Sequence, residues 1–221
     1  MCGIVGVYNY GNPGIGLEAE TIVRMRDTME HRGPDDAGVF VSPDGKLGLG
    51  HRRLSILDLS SLGHQPMASA DGRFWIVYNG EVYNFRELRG ELTPKGYTFR
   101  STSDTEVLLA LFAEYGPKML HRLRGMFALA IWDAREERLW LARDRIGIKP
   151  LYYTCQGGRF LFASEIKAIL EFPGIPRSVH LPGLHHYLSF LTTPAPLTLF
   201  EGIGKLPAGH TLTVDRDGSV A

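Results

Sequence analysis

Cys2 stands directly behind the initiator methionine, in Met1-Cys2-Gly3-Ile4-Val5-Gly6. Removal of Met1 leaves one residue carrying both a thiol and a free α-amine. An α-amine titrates at ~7.7–8.0, so much of it is neutral and basic near neutral pH. It could take the proton of its own thiol, directly or through one water, and Cys2 would then be a nucleophile that needs no histidine. Retention of Met1 would consume the amine in a peptide bond and remove that base. The plain alternative is an unreactive thiol packed in a core.

A cysteine that attacks an amide needs donors aimed at the oxygen that becomes negative in the tetrahedral intermediate. If the amide is that of free glutamine, an arginine fork suits the α-carboxylate and one or two acidic residues suit the α-ammonium. Arg52 and Arg53 lie in Gly50-His51-Arg52-Arg53-Leu54-Ser55-Ile56 and point to opposite faces if the run is a strand. Spacing alone leaves open which of them faces a pocket, and surface arginines are common. Asn79-Gly80-Glu81 follows an apolar run, where Asn-Gly ordinarily marks a hairpin turn. Residues 83–88 read as helical rather than as a returning strand, so the Asn79 amide and the Gly80 N–H at a strand end could serve as an oxyanion hole. Asp104 falls in the first turn of a helix, where the helix dipole alone favours an acid.

Other chemistries find little support. The eight histidines show no metal-ligand spacing, and the adjacent His185 and His186 would point about 100° apart on a helix. No metal site is expected. Neither a phosphate loop nor a Gly-x-Gly-x-x-Gly run occurs, so no nucleotide site is expected. Acidic and basic residues number 24 each, which gives no electrostatic pull toward nucleic acid. No apolar run is long enough to span a bilayer, and no secretory signal opens the chain. Cys2 and Cys155, the two cysteines, read as thiols of a reducing cytoplasm.

The elements that must hold these residues are short and mixed. Ile4, Val5 and Val7 form a buried strand, and residues 17–30 place Ile22, Met25 and Met29 at helical spacing. Residues 46–56 and 73–78 read as strands, the second fully buried. Ser103-Asp104-Thr105-Glu106 is a capping box, followed by the stripe Val107, Leu108, Leu111, Phe112 and Tyr115 and closed by Gly116. Strands are expected over 126–132, 138–142, 151–154 and 160–163. Ser164 is placed to cap a helix carrying Ile166, Ile169 and Leu170. From Leu181 the tail holds a helix-like stretch, a proline-rich loop and a last strand ending near residues 215–218. With no repeat or linker in sight, residues 1–221 read as one layered domain of mixed α and β.

Taken in order, the motifs resemble a known family. Met1-Cys2-Gly3-Ile4-Val5-Gly6, His31-Arg32-Gly33-Pro34-Asp35, the Gly50–Ile56 run, Tyr78-Asn79-Gly80-Glu81-Val82-Tyr83-Asn84 and Ser103-Asp104-Thr105-Glu106 come first. Arg124-Gly125-Met126-Phe127-Ala128, Ala142-Arg143-Asp144-Arg145, Lys149-Pro150-Leu151-Tyr152-Tyr153 and Phe162-Ala163-Ser164-Glu165 follow. The chain resembles the N-terminal glutaminase domain of glutamine-hydrolysing asparagine synthetases, among the class II glutamine amidotransferases. The resemblance implies an α+β fold of the N-terminal-nucleophile hydrolase type, a four-layer αββα sandwich of two antiparallel sheets. It implies that Cys2 forms a glutamyl thioester and that Asn79 and Gly80 make the oxyanion hole. Arg53 would hold the glutamine carboxylate, with Leu54, Ser55, Ile56 and Leu57 lining the pocket. Glu81 and Asp104 would meet the ammonium. Residues 31–36 read as a structural loop near the site. The Gly50–Ile56 run favours the asparagine-synthetase branch over relatives with a Thr-Arg-Trp-Ala-type segment.

The Ser-Gly-Gly-x-Asp-Ser loop of the ATP-dependent synthetase domain does not occur here. The expectation is a glutaminase domain whose partner is that C-terminal domain. ATP and magnesium would belong to the partner, and no cofactor to this domain. A face left uncovered would also admit a homodimer. Two alternatives stand beside this reading. The parent could aminate another acceptor, such as a surface sugar or a natural-product precursor. The domain could instead be a catalytically silent glutamine-binding module.

Overall fold

The computed structural model describes residues 1–11 and 16–221. Strand β1 (Gly3–Asn9) leads to helix α1 (Ala19–Asp27) and to the paired strands β2 (Asp36–Val41) and β3 (Leu47–Arg53). The short strand β4 (Met67–Ala68) and the long strand β5 (Phe74–Val82) precede helices α2 (Phe85–Leu92) and α3 (Asp104–Tyr115). Four strands then follow: β6 (Gly125–Asp133), β7 (Arg138–Arg143), β8 (Tyr152–Gln156) and β9 (Arg159–Ala163). Helices α4 (Ile166–Leu170) and α5 (Leu181–Phe190) and strands β10 (Gly204–Lys205) and β11 (Thr211–Val214) complete the described chain.

Two antiparallel sheets form, in the orders β10-β8-β9-β1-β3-β2 and β11-β7-β6-β5-β4. Side-chain alternation decides the layering. Ile4 and Tyr8 of β1 join Leu47 and Leu49 of β3 against Val77, Ala128 and Ala130 of the other sheet, making the core between the sheets. Val5 and Val7 point the other way, onto Ile22 and Met25 of α1 and Ala168 and Ile169 of α4. On the far side, Ile76, Tyr78 and Val82 of β5 pack with Leu88 of α2 and Val107, Leu108 and Leu111 of α3. The result is the expected αββα sandwich. Full burial of each such leucine or isoleucine contributes about 1.5–3 kcal/mol, which is why the α3 stripe holds that helix to the sheet.

Several local expectations change. Helix α1 stops at Asp27 rather than at residue 30: the Thr28 hydroxyl donates to the Met25 carbonyl at 2.8 Å and a tight turn follows. Strand β3 ends at Arg53, short of residue 56, because its neighbours give out at Gly3↔Arg52 and Asp36↔Arg53. Beyond it the Ser55 N–H donates to the Asp35 carboxylate at 2.8 Å instead of to a strand. Strand β5 runs four residues past Tyr78, so Asn79 and Gly80 are neither a hairpin turn nor a strand end; they pair in register with Ala128 and Phe127 of β6. The Ser103 hydroxyl caps α3 through the Thr105 N–H at 3.1 Å, but Glu106 does not close the box. Its carboxylate accepts from the N–H groups of Arg100 and Ser101. Ser164 caps nothing: its hydroxyl accepts from the Ile4 N–H at 3.1 Å, and Glu165 holds the N-cap position of α4.

Candidate active site

Cys2 precedes β1 and continues its alternation onto the side of Ile4, at the mouth of the space between the sheets. The Leu54 N–H donates to its sulfur at 3.4 Å. Its carbonyl accepts from Arg32 Nε at 3.0 Å, and Arg32 is fixed by Glu165 at 2.8 Å. His31 and Lys167 meet the same Glu165 carboxylate at 2.9 and 3.2 Å. Burial alone would raise Glu165, but the hydrogen bonds from Arg32, His31 and Lys167 outweigh it and hold the carboxyl at about 2. Burial pushes the Cys2 thiol up, opposed by the Leu54 N–H, the chain's amino group, Arg53 and Lys149. Through Arg32, the segment 31–36 thus reaches the backbone of Cys2.

The donors come from the open edge of β5. Strand β4 covers only Trp75 and Ile76, so β5 is unpaired on that side from Val77 onward. In an antiparallel ladder, alternate residues turn their N–H groups to opposite edges. The Tyr78 N–H donates to Gln65 Oε1 at 2.7 Å and the Val82 N–H to Asp104 Oδ2 at 2.9 Å, both on the open edge. Gly80 lies between them, so its N–H turns the same way, into the cleft that it lines with Cys2. A side chain there would collide with the Met126 carbonyl and come within 2.8 Å of the Phe127 α-carbon, which is why the position is glycine. Asn79 alternates to the inter-sheet side, 1 % exposed, and its Nδ2 is a buried donor without a partner among the described residues. A buried orphan donor costs about 1–3 kcal/mol, which a bound acceptor would recover.

Arg53 faces the cleft, whereas Arg52 turns to α1 and pairs with Asp27 at 2.8 Å. The Arg53 guanidinium donates to the carbonyls of Ser60, at 2.9 Å, and Asp58. Among the described residues no carboxylate pairs with it. Asp58 is engaged elsewhere, its carboxylate accepting from Ser60 and Thr102, and these bonds hold it well below the usual carboxylate range. Asp104 is buried at the start of α3 and accepts from the Tyr78 hydroxyl at 2.8 Å as well as from Val82. Burial, aided by nearby Glu81, raises its pKa against those two donors.

Cys2, Arg53, Leu54, Ile56, Leu57, Asn79, Gly80, Glu81 and Asp104 all line one cleft. Ser55 does not; its backbone is drawn to Asp35. Ile56 is 66 % exposed, so it rims the cleft rather than filling it. Sequence reasoning assigned no role to Lys149, Gln65 or Gly63, which share the lining. Lys149 arrives through a turn built on Asp144, whose carboxylate accepts from the N–H groups of Phe127, Ile148 and Lys149. Burial lowers the Lys149 pKa, while Cys2 opposes that.

The description that fits residues 1–221 is "glutamine amidotransferase domain". The chain belongs to this family. Within it, asparagine synthetase [glutamine-hydrolyzing] 1 of Bacillus subtilis is 42% identical over 221 residues, covering 100% of this chain and 34% of the relative. A second synthetase of that organism, numbered 3, is likewise 42% identical, covering 99% of this chain and 35% of the relative. The amidotransferase chain therefore spans about a third of the length of these relatives. Glutamine phosphoribosylpyrophosphate amidotransferase from B. subtilis shares the fold with a TM-score of 0.70 at 20% identity, over 100% of this chain and 49% of that one. Among the described residues no helix is long and apolar enough to cross a membrane.

Proposed function

We propose that this amidotransferase domain hydrolyses L-glutamine to L-glutamate and ammonia through a Cys2 thioester. The observation that carries the reading is Asn79 Nδ2, a buried donor with no partner among the described residues, beside the Gly80 N–H on the open edge of β5, both in the cleft of the Cys2 thiol. After removal of Met1, the neutral α-amine takes the thiol proton as sulfur attacks the carboxamide carbon. The carbonyl oxygen becomes negative facing Asn79 and Gly80. The same proton passes to the leaving nitrogen, ammonia departs, and a glutamyl thioester remains. Water, losing a proton to the amine, breaks the C–S bond to give L-glutamate and the thiol. Arg53, buried without a carboxylate partner, holds the α-carboxylate; Asp104 and Glu81 take the α-ammonium.

The ammonia would serve ATP-dependent amidation of aspartate to asparagine by a synthetase domain, in keeping with the relatives' names and their threefold length. ATP and magnesium belong to that domain, and this one works without metal or cofactor in a reducing cytoplasm. The test is intact-protein mass spectrometry with a glutamine-mimicking diazo-ketone. A chain lighter by one methionine that gains a single adduct on Cys2, blocked by excess L-glutamine, is the expected result. A processed chain that takes no adduct and releases no ammonia would refute the reading and leave a silent binding module.

A further inference from the structure

The N–H groups of Tyr78, Gly80 and Val82 leave the open edge of β5 at two-residue intervals. The outer two are taken by side chains from different segments, Gln65 and Asp104. Gln65 is 4 % exposed, and its far end has a second partner: Nε2 donates to Thr105 Oγ1 at 3.2 Å. Thr105 directly follows Asp104 in the first turn of α3 and is itself buried. One buried amide therefore spans from the residue before Asn79 to the residue after Asp104. In the glutaminase reading, Asn79 meets the carboxamide oxygen of the substrate and Asp104 its α-ammonium.

Resting on the glutaminase reading above, we propose that Gln65 is a positioning residue that sets the spacing between the oxyanion donors and the ammonium-binding carboxylate. Selection for substrates carrying both a carboxamide and an α-ammonium follows from that spacing. Asp104 already ties α3 to Val82 and to the Tyr78 hydroxyl. On the open edge, Gln65 adds a tie at Tyr78, between the end of the β4 pairing at Ile76 and Gly80. The task demands an acceptor and a donor on one terminal amide group. Glutamate offers no donor to Thr105 when ionised, and methionine has the shape without either group.

The test compares ammonia release from L-glutamine and from its desamino analogue, 4-carbamoylbutanoate, in the wild type, Gln65→Met, Thr105→Val and the double variant. Gln65→Met lowers kcat/KM for L-glutamine about tenfold or more, and for the analogue less than about threefold, because the analogue does not use the ammonium site. Thr105→Val shifts the ratio in the same direction. Added to Gln65→Met it costs little further, since Gln65→Met already removes the Gln65–Thr105 bond. Equal losses on both substrates, or additive losses in the double variant, would overturn the proposal. A wild type silent toward L-glutamine would instead defeat the glutaminase reading. The affinity ratio of L-glutamate to glutarate, read by calorimetry on the same proteins, then decides Gln65: narrowing in Gln65→Met supports it, and an unchanged ratio rejects it.

Discussion

Arg53 and Gly63 are in direct contact: a methyl group on the Gly63 α-carbon would overlap the Nη2 and Cζ of Arg53. The loop from Asp58 to Gly63 wraps the guanidinium, giving it backbone carbonyls but no carboxylate. A planar fork held this way keeps its remaining donors for an incoming anion. Gly63→Ala is therefore expected to displace Arg53 and raise KM for L-glutamine about tenfold, with kcat less affected. Gly90→Ala is the control. Gly90 lies exposed in α2 with open space where a methyl would go. That substitution is expected to leave kinetics unchanged and stabilise the fold by about 0.5–1 kcal/mol in a denaturant titration.

Asp104 ties binding to pH. Its carboxyl is raised by burial, yet it must be ionised to meet an α-ammonium. In a Cys2→Ala background, where no turnover occurs, L-glutamine affinity is expected to fall as pH drops through that raised pKa. The loss should begin above 3.8, the ordinary value for the group. Asp104→Asn keeps an oxygen for Val82 and Tyr78 but loses the charge. It should bind L-glutamine about a hundredfold more weakly at neutral pH and show no such fall. Calorimetric titration between weakly acidic and neutral pH reads both effects.

Much of this arrangement was legible in the chain, and the parts that were not share a cause. Alternation along β3 separated Arg52 from Arg53, but only the packing of α1, with Asp27 beside Arg52, selects which arginine turns inward. Asn79-Gly80 carried the local signature of a turn. The nine-residue ladder with β6 overrides that propensity, and the shortness of β4 leaves the edge free. Gln65 and Lys149 had no local pattern to announce them. Gln65 meets Tyr78 and Thr105, 13 and 40 residues away. Lys149 enters the cleft because Asp144 folds the preceding turn back. The Gln65 contacts are set by how α3 packs beside β5, which no single window of sequence contains.

Gly80 offers a sharper test of the oxyanion edge than Asn79. Its methyl would meet the Met126 carbonyl and the Phe127 α-carbon, both backbone atoms of β6 that cannot move aside cheaply. Gly80→Ala must push β5 away from β6 just where its N–H faces the cleft. Asn79→Ala, by contrast, removes a buried donor that has no partner in the free protein. It should therefore leave thermal stability nearly unchanged, or raise it slightly, while kcat falls about 10²–10³-fold. Gly80→Ala should lose both stability and turnover. Melting curves beside single-turnover ammonia release separate the two; a strongly destabilised Asn79→Ala would contradict the assignment of an unpartnered, waiting donor.

His51 couples the sheets beside the site and should give a recognisable acid limb. It is fully buried on β3, two residues from Arg53, and its Nε2–H donates to the Tyr78 carbonyl of β5 at 3.0 Å. Burial lowers its pKa from 6.5 to about 4, outweighing the hydrogen bond to Tyr78 that favours the charged form. Between those values the unfolded chain binds a proton that the folded chain refuses. Stability then rises with pH across the window, so acidification from 6.5 to about 4 should remove stability and lower pH should add no further loss from this group. A shift of that size corresponds to about 3 kcal/mol. His51→Gln can still donate to Tyr78 but does not titrate. The difference between its stability and that of the wild type, followed by denaturant unfolding from pH 7 to 4, isolates His51 from the exposed His31 and His64. A difference that stays flat with pH would mean that the imidazole titrates freely, and the β3–β5 link could then not hold Arg53 and Asn79 in register.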